Sequence, residues 1–123
     1  MILEKFVTPG MGVNCYLVGQ NDQVVMIDPG TVLDQVDQVI EQKGYQLQAI
    51  VLTHGHADHI GGVEYFRDKY GVDVYIHEDD EEMIKNPRQN LSQGVYGYEI
   101  SIEDALTYRD RDRLDLGDIR LEI

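Results

Sequence analysis

Three of the chain's four histidines lie within six positions, in the stretch THGHADHIGG at 53–62. Zinc takes imidazole and carboxylate ligands in proteins, and iron and manganese also accept them. On an extended loop His54 and His56 point to one side, because residues two apart share a face. Asp58 and His59 project at another angle from a first helical turn. The stretch therefore predicts two adjacent pairs of metal ligands, which we favour over unconnected surface residues because such spacing is improbable by chance.

The chemistry available at two adjacent metal sites is hydrolysis. A water between two such ions is acidified towards hydroxide near neutral pH and becomes a nucleophile for an acyl carbon. Ser92 and Ser101 have no basic residue beside them in the sequence, so nothing supports a serine nucleophile. His77 precedes an acidic run, and we expect it to start a helix or form a hydrogen bond rather than to act as a further ligand.

A strand and a helix are predicted on the two sides of the histidine stretch. The apolar run 49–52 predicts a buried strand. After a helix start near Asp58, Ile60 and Val63 begin a pattern of helical spacing that ends at Gly71. Ligands beyond the carboxyl end of a strand, at the start of a helix, occupy the usual binding crevice of α/β domains.

Two further helices are predicted. The first covers 32–40, with Thr31 as its N-cap and Gly44 just beyond its end. The second starts in the acidic run 78–82, which we interpret as a solvated helix face, and it ends at Pro87.

The remaining pattern completes an α/β domain. Further strands are predicted at 2–7, 14–19, 24–27 and 72–76, with a terminal hairpin at 114–116 and 119–123. The segment 88–105 shows no periodicity, and its Tyr96 and Tyr98 are candidates for a substrate lid. The prediction is one domain over 1–123, α/β in class, with antiparallel strands at both ends.

Composition limits the classes of partner. The net charge of −13, from 23 acidic and 10 basic residues, disfavours nucleic acid and anionic membranes but is compatible with a small-molecule substrate. No stretch predicts a signal peptide or a membrane span, so we expect a cytoplasmic protein. The single cysteine, Cys15, lies in an apolar strand, and we expect it to be buried and structural.

The stretch THGHADH resembles the Thr-His-x-His-x-Asp-His signature of the metallo-β-lactamase superfamily. The segments NCYLV (14–18), IDPG (27–30) and VYIHEDD (74–80) resemble those of its glyoxalase II-like hydrolases. The resemblance covers essentially the whole chain. It implies an αββα sandwich, two Zn²⁺ sites in which Fe or Mn are alternatives, and hydrolysis of small acyl compounds, thioesters foremost, by a metal-bound hydroxide.

The resemblance also assigns roles to residues. It implies that His54 and His56 bind the first metal and that Asp58 and His59 bind the second, with Asp58 also catalytic. Asp28 would brace the histidine loop. Iron-dependent oxidative chemistry occurs in the same superfamily and is the alternative activity.

The sequence departs from the family in one respect. The family completes its sites with a later His, a bridging Asp and a final His, and this chain contains none of them. We therefore expect the first half of the sandwich, with weak activity and weak metal binding on its own. A half-sandwich would leave the runs 24–27 and 49–52 on an uncovered face, which predicts a homo-oligomer. A non-catalytic, metal-binding or self-associating half-domain is the alternative function.

Overall fold

A computed structural model describes residues 1–7, 13–93, 99–117 and 119–122. These residues form a six-stranded sheet and a separate two-stranded hairpin. The strands are β1 (Ile2–Val7), β2 (Asn14–Gln20), β3 (Gln23–Ile27), β4 (Gln46–Leu52), β5 (Asp73–His77), β6 (Leu106–Tyr108), β7 (Arg113–Leu116) and β8 (Ile119–Glu122). Tyr96, Tyr98 and the predicted hairpin turn residue Asp118 lie outside the described ranges.

The sheet is mixed, with its strands in chain order. β1, β2 and β3 pair antiparallel, whereas β3, β4, β5 and β6 pair parallel. The antiparallel β7–β8 hairpin ends the chain. This arrangement confirms the predicted α/β class with antiparallel strands at both ends. β6 was not predicted, because three residues are too few to show an alternating pattern.

In the part of the chain that the structure describes, four α-helices lie between the strands: α1 (Asp34–Lys43), α2 (Ala57–Ile60), α3 (Val63–Tyr70) and α4 (Glu81–Lys85), the last preceded by a 3₁₀ turn at Glu78–Asp80. Gly44 ends α1 with φ of 67°, as predicted from its freedom to adopt a left-handed conformation. The prediction of Thr31 as N-cap is wrong. Leu33 occupies that position without a side-chain cap.

The helix predicted after the histidines is two helices, because two glycines separate α2 from α3. A Cβ on Gly61 would lie 2.2 Å from the carbonyl oxygen of Gly30, and one on Gly62 would lie 2.6 Å from that of Thr31. The Gly62 N–H also donates to the Pro29 carbonyl at 2.7 Å. The break therefore brings the start of α3 into backbone contact with the segment that follows β3.

All four helices pack on one face of the sheet. Val36 of α1 and Phe66 of α3 lie in one apolar cluster with Met26 and Ile50 of the central strands. No helix in the described ranges is long and apolar enough to cross a membrane.

The β7–β8 hairpin covers the opposite face, so the layers are helix, sheet and second sheet. The expectation that the runs 24–27 and 49–52 are uncovered is wrong. Val25 and Val51 are 0% and 5% exposed and belong to one apolar cluster with Leu116 of the hairpin. Among the exposed apolar side chains, Leu3 and Val7 lie on β1, at one edge of the sheet, and Leu106 lies on β6, at the other.

Candidate metal centre

The histidine loop leaves the carboxyl end of β4 and turns outward before α2. Gly55 and Ala57 are buried, whereas His54 is exposed and His56 and Asp58 are half-buried. The chain is extended at His56, with φ of −73° and ψ of 152°, which makes His56 the N-cap of α2. Alternation in the extended segment therefore turns the imidazoles away from the core, as residues two apart share a face.

The predicted ligands lie next to one another. The ring centroid of His54 is 6.1 Å from that of His56 and 4.9 Å from that of His59. The Oδ1 atom of Asp58 is 3.9 Å from Nε2 of His59. Both predicted pairs therefore occur on one side of the chain, at the strand–helix junction.

Asp28 connects the loop after β3 to the histidine segment. Its carboxylate accepts a hydrogen bond from the Thr53 N–H at 2.8 Å and another from the Thr53 hydroxyl. Its Oδ2 lies 3.0 Å from Nδ1 of His59. Asp28 is 6% exposed and has φ of 53°, an uncommon conformation for a residue other than glycine and one that recurs at functional sites.

The Asp28 contact determines which His59 nitrogen is available. A carboxylate beside Nδ1 favours the proton on that atom, so Nε2 keeps its lone pair and faces Asp58. Two ligands of one tetrahedral ion at ordinary bond lengths are about 3.4 Å apart. The 3.9 Å between Asp58 Oδ1 and His59 Nε2 is close to that spacing. The chemistry and arrangement of these two donors fit a metal ion.

Within the described ranges, no three His, Cys, Asp or Glu side chains are grouped so as to hold a metal ion. Two donors to each ion are half of a usual four-ligand shell. The described residues thus offer pairs of candidate ligands, and a four-ligand shell around either pair would need further donors.

Two contacts to the loop were missed by the sequence analysis. The Gly55 N–H donates to Oδ2 of Asp80 at 3.2 Å. The Ala57 N–H donates to the backbone carbonyl of Asn90 at 2.7 Å. The interpretation of Asp80 as part of a solvated helix face is therefore wrong, and its position before a helix gave no signal of a bond to a residue 25 positions away.

A cavity of about 530 Å³ borders the loop. Thr53, Asp80 and Tyr108 line it together with apolar residues of β3 and β4. The Tyr108 hydroxyl donates to the Leu52 carbonyl at 2.7 Å. Burial raises the pKa of Tyr108, and the carboxylates of Asp28 and Asp80 raise it further, so the hydroxyl remains a donor at neutral pH.

His77 also lines this cavity but stands at a helix start. Its Nδ1 accepts from the Asp79 N–H at 3.1 Å, and its Nε2 lies 2.9 Å from Oδ1 of Asp110. The prediction of a helix-entry and hydrogen-bonding residue is confirmed.

Cys15 is 2% exposed, as predicted. Burial, assisted by the Asp28 carboxylate, raises the pKa of the Cys15 thiol to about 12. It is therefore a protonated core residue and does not act as a nucleophile.

The sequence profile of the metallo-beta-lactamase superfamily matches residues 8–122. The chain belongs to this superfamily. The α–β–β layering and the histidine cluster at the end of β4 occur within the matched region, so the predicted fold, the first part of a metallo-β-lactamase-like sandwich, is confirmed.

Two curated relatives and one solved structure illustrate what the chain is similar to. The probable metallo-hydrolase YqgX of Bacillus subtilis (strain 168) is 33% identical over 110 residues, covering 89% of this chain and 52% of its own length. Hydroxyacylglutathione hydrolase GloC of Haemophilus influenzae is 27% identical over 113 residues, covering 89% of this chain and 53% of its own length. TTHA1623, solved in a di-iron-bound form, superposes with a TM-score of 0.76 at 26% identity, over 90% of this chain and 56% of its own. The chain thus spans about half the length of these proteins.

Proposed function

We propose that this chain provides metal ligands and part of the substrate cavity of a metal-dependent hydrolase that cleaves thioesters. The observation that carries the proposal is the contact of Asp28 with Nδ1 of His59, because it leaves Nε2 free to bind a metal beside Asp58. Membership of the metallo-beta-lactamase superfamily supports it. The name of GloC, a hydroxyacylglutathione hydrolase, supports the thioester substrate.

In this proposal the loop holds two ions. His54 and His56 bind one, and Asp58 and His59 bind the other, while Asp28 keeps His59 in the correct tautomer. An ion bound to such ligands acidifies water and polarises a carbonyl group. Imidazole and carboxylate donors suit zinc, iron and manganese alike, and the di-iron-bound form of TTHA1623 makes iron a specific alternative to zinc.

The cavity beside Thr53 supports a small acyl substrate. Its volume of about 530 Å³ is in the range of small-molecule sites. Thioester cleavage also places few demands on the protein, because a thiol has a pKa of about 8.5 and its thiolate departs without being protonated first. Such a reaction needs no separate general acid, whereas release of an amine would require one.

The proposal is tested by thiol release. This chain, and the natural protein that contains it, are loaded with Zn²⁺ or Fe²⁺ and given S-lactoylglutathione. A cephalosporin is tested in parallel as the alternative, β-lactam substrate. We expect thiol release, weak in the chain alone, that His56→Ala abolishes and the exposed-site control Asp68→Asn preserves. Cephalosporin cleavage without thiol release would show that the substrates are β-lactams and not thioesters. Oxygen uptake by the iron-loaded protein alone would show oxidative chemistry in place of hydrolysis.

The second candidate is a non-catalytic half-domain. The absence of a group of three potential ligands in the described ranges favours it. If this chain and the natural protein that contains it both bind metal but cleave neither substrate, the non-catalytic function would be established in place of the hydrolase.

A further inference from the structure

His56 lies between two backbone amides that are bonded to a different part of the chain. On one side the Gly55 N–H donates to the Asp80 carboxylate at 3.2 Å. On the other side the Ala57 N–H donates to the Asn90 carbonyl at 2.7 Å. Both acceptors lie outside the histidine motif, in the segment at and after the 3₁₀ turn. The position of His56 is thus fixed at two points by residues that are not themselves metal-ligand candidates.

The Asn90 carbonyl is held by a buried polar network. Asn90 is 0% exposed, its Nδ2 donates to the Ile100 carbonyl at 2.7 Å, and its Oδ1 accepts from the Ser92 N–H at 2.9 Å. The Ser92 hydroxyl, also buried, accepts from the Ile100 N–H at 2.8 Å. Each of these polar groups would be costly to leave unsatisfied in the core. The network therefore gives the carbonyl that receives the Ala57 N–H a single orientation.

Close packing holds the Asp80 side of the loop. A Cβ on Gly55 would lie 3.1 Å from both Ile84 Cγ2 and Met83 Sδ and 3.3 Å from the Asp80 carbonyl oxygen. The loop thus packs closely on the 3₁₀ turn and α4, and a side chain at position 55 would need these neighbours to move by a few tenths of an ångström. The Asp80 carboxylate then sets the direction of the Gly55 amide, because a charged acceptor forms a stronger bond than a neutral one.

We propose that Asp80 and Asn90 are positioning residues for the metal centre, acting through the amides of Gly55 and Ala57 to orient His56. The inference rests on the proposed role of His56 as a metal ligand. Neither residue is one of the predicted metal ligands, and Asn90 does not line the cavity beside Thr53. Each lowers the cost of metal binding by holding the loop in its binding conformation before the ion arrives.

The expected effect is on metal affinity more than on folding. Supporting residues around metal ligands are worth about 10–100-fold in affinity. Asp80→Ala removes the acceptor for Gly55, and we expect it to weaken metal binding by about tenfold. Asp80→Asn keeps an acceptor oxygen at the same place and should therefore retain most of the metal affinity that Asp80→Ala loses. Glu82→Ala removes an exposed carboxylate from α4 and is the matched control for the change in charge.

Asn90 is tested in parallel. Asn90→Ala leaves the Ser92 N–H and the Ile100 carbonyl without a partner in the core, which costs about 1–3 kcal/mol for each group. If Asn90→Ala does not fold, Ser92→Ala is used in its place, because it loosens the same network with a smaller loss of folding stability. Gln89→Ala, at the exposed neighbouring position, is the control.

The experiment is a Co²⁺ titration of the chain followed by visible absorption, with amide hydrogen exchange at Gly55 and Ala57 measured by NMR without metal. We expect Asp80→Ala to weaken Co²⁺ binding and to speed exchange at Gly55, while Asp80→Asn and Glu82→Ala stay near wild type.

The outcomes separate this inference from the proposed function. Wild-type chain that binds no Co²⁺ at millimolar concentration would overturn both. If the wild-type chain binds Co²⁺, and Asp80→Ala shows the same Co²⁺ affinity and the same amide exchange at Gly55, the positioning role alone would be overturned. Equal losses in Asp80→Ala and Asp80→Asn would also overturn it, since they would show that charge near the ion, not the Gly55 bond, is responsible.

Discussion

The Asp28 carboxylate lies 3.0 Å from Nδ1 of His59, across 31 positions of sequence. The same carboxylate accepts two hydrogen bonds from Thr53, at the carboxyl end of β4. One buried side chain therefore links the loop after β3, the start of the histidine loop and the first turn of α2. The contact fixes both the position of His59 and the nitrogen that it presents to a metal.

Asp28→Asn should weaken Zn²⁺ binding by about 10–100-fold. The amide keeps an acceptor for Thr53, but its NH₂ group donates to Nδ1 of His59 and moves the proton to Nε2, the atom required for the metal. Competition with a chromophoric chelator measures the affinity. Asp68→Asn, the same change at an exposed position of α3, should bind Zn²⁺ as the wild type does, and equal affinity in both variants would contradict the assigned role.

Gly61→Ala should separate α2 from the segment after β3. Its Cβ would lie 2.2 Å from the Gly30 carbonyl oxygen, and overpacking of this kind costs about 1–3 kcal/mol. We expect lower stability in urea together with weaker Zn²⁺ binding. Gly71→Ala is the control. Gly71 has φ of 63°, and a Cβ added there would meet open space, so the variant should lose about 1 kcal/mol of folding stability without a change in Zn²⁺ affinity.

Acid should destabilise the protein through Asp37 of α1, which is 8% exposed. Burial alone would raise the pKa of Asp37, but hydrogen bonds from Tyr65, Tyr70 and Lys69 of α3 outweigh it and lower the pKa below the ordinary 3.8. A lowered pKa means that the stabilisation is present above pH 3.8 and is lost as pH falls through the folded-state value. Asp37→Asn should therefore be less stable at neutral pH, and its stability should change less below pH 4.

Urea unfolding at several pH values between 2 and 7 checks this expectation. The exposed Asp34 of the same helix provides the control variant, Asp34→Asn. If the stability of Asp37→Asn falls with pH in the same way as that of the wild type, other carboxylates determine the loss of stability in acid.

We also propose that copies of this chain associate through β1, an edge strand of the sheet. Leu3 and Val7 are 60% and 58% exposed on the same side of that strand, and an exposed apolar edge strand is prone to pairing. Sedimentation equilibrium at moderate salt should show a dimer or larger species, and Leu3→Lys should shift it towards monomer. A wild-type monomer at all concentrations would refute the association.

Sequence alone could predict the elements that depend on local pattern. The buried strands and the left-handed Gly44 followed from apolar runs and from the conformational freedom of glycine. Thr31 failed as an N-cap because its backbone lies against Gly62, so the chain continues in a loop and α1 begins later.

The support of the candidate site could not be predicted in this way. The Asp80 contact with Gly55 spans 25 residues, and nothing local distinguishes Asp80 from the carboxylates around it. Asn90 lies in a segment without periodicity, where sequence patterns give no information on burial. Which polar side chains support the histidine loop is decided by the packing of distant segments. The candidate ligands could be proposed from the sequence because they are close together in it.

The long-range bonds around the histidine loop also determine when it becomes ordered during folding. The antiparallel strands β1, β2 and β3 join through short connections, whereas the Thr53–Asp28 and Gly55–Asp80 bonds each require closure of a 25-residue segment. Contacts of high sequence separation form late because the entropy of loop closure must be lost before they contribute. We therefore expect the histidine loop to become ordered only after the parallel strands have assembled. If the loop binds a metal ion as proposed, we expect the ion to stabilise the folded chain and slow its unfolding, with little effect on the rate at which the chain folds.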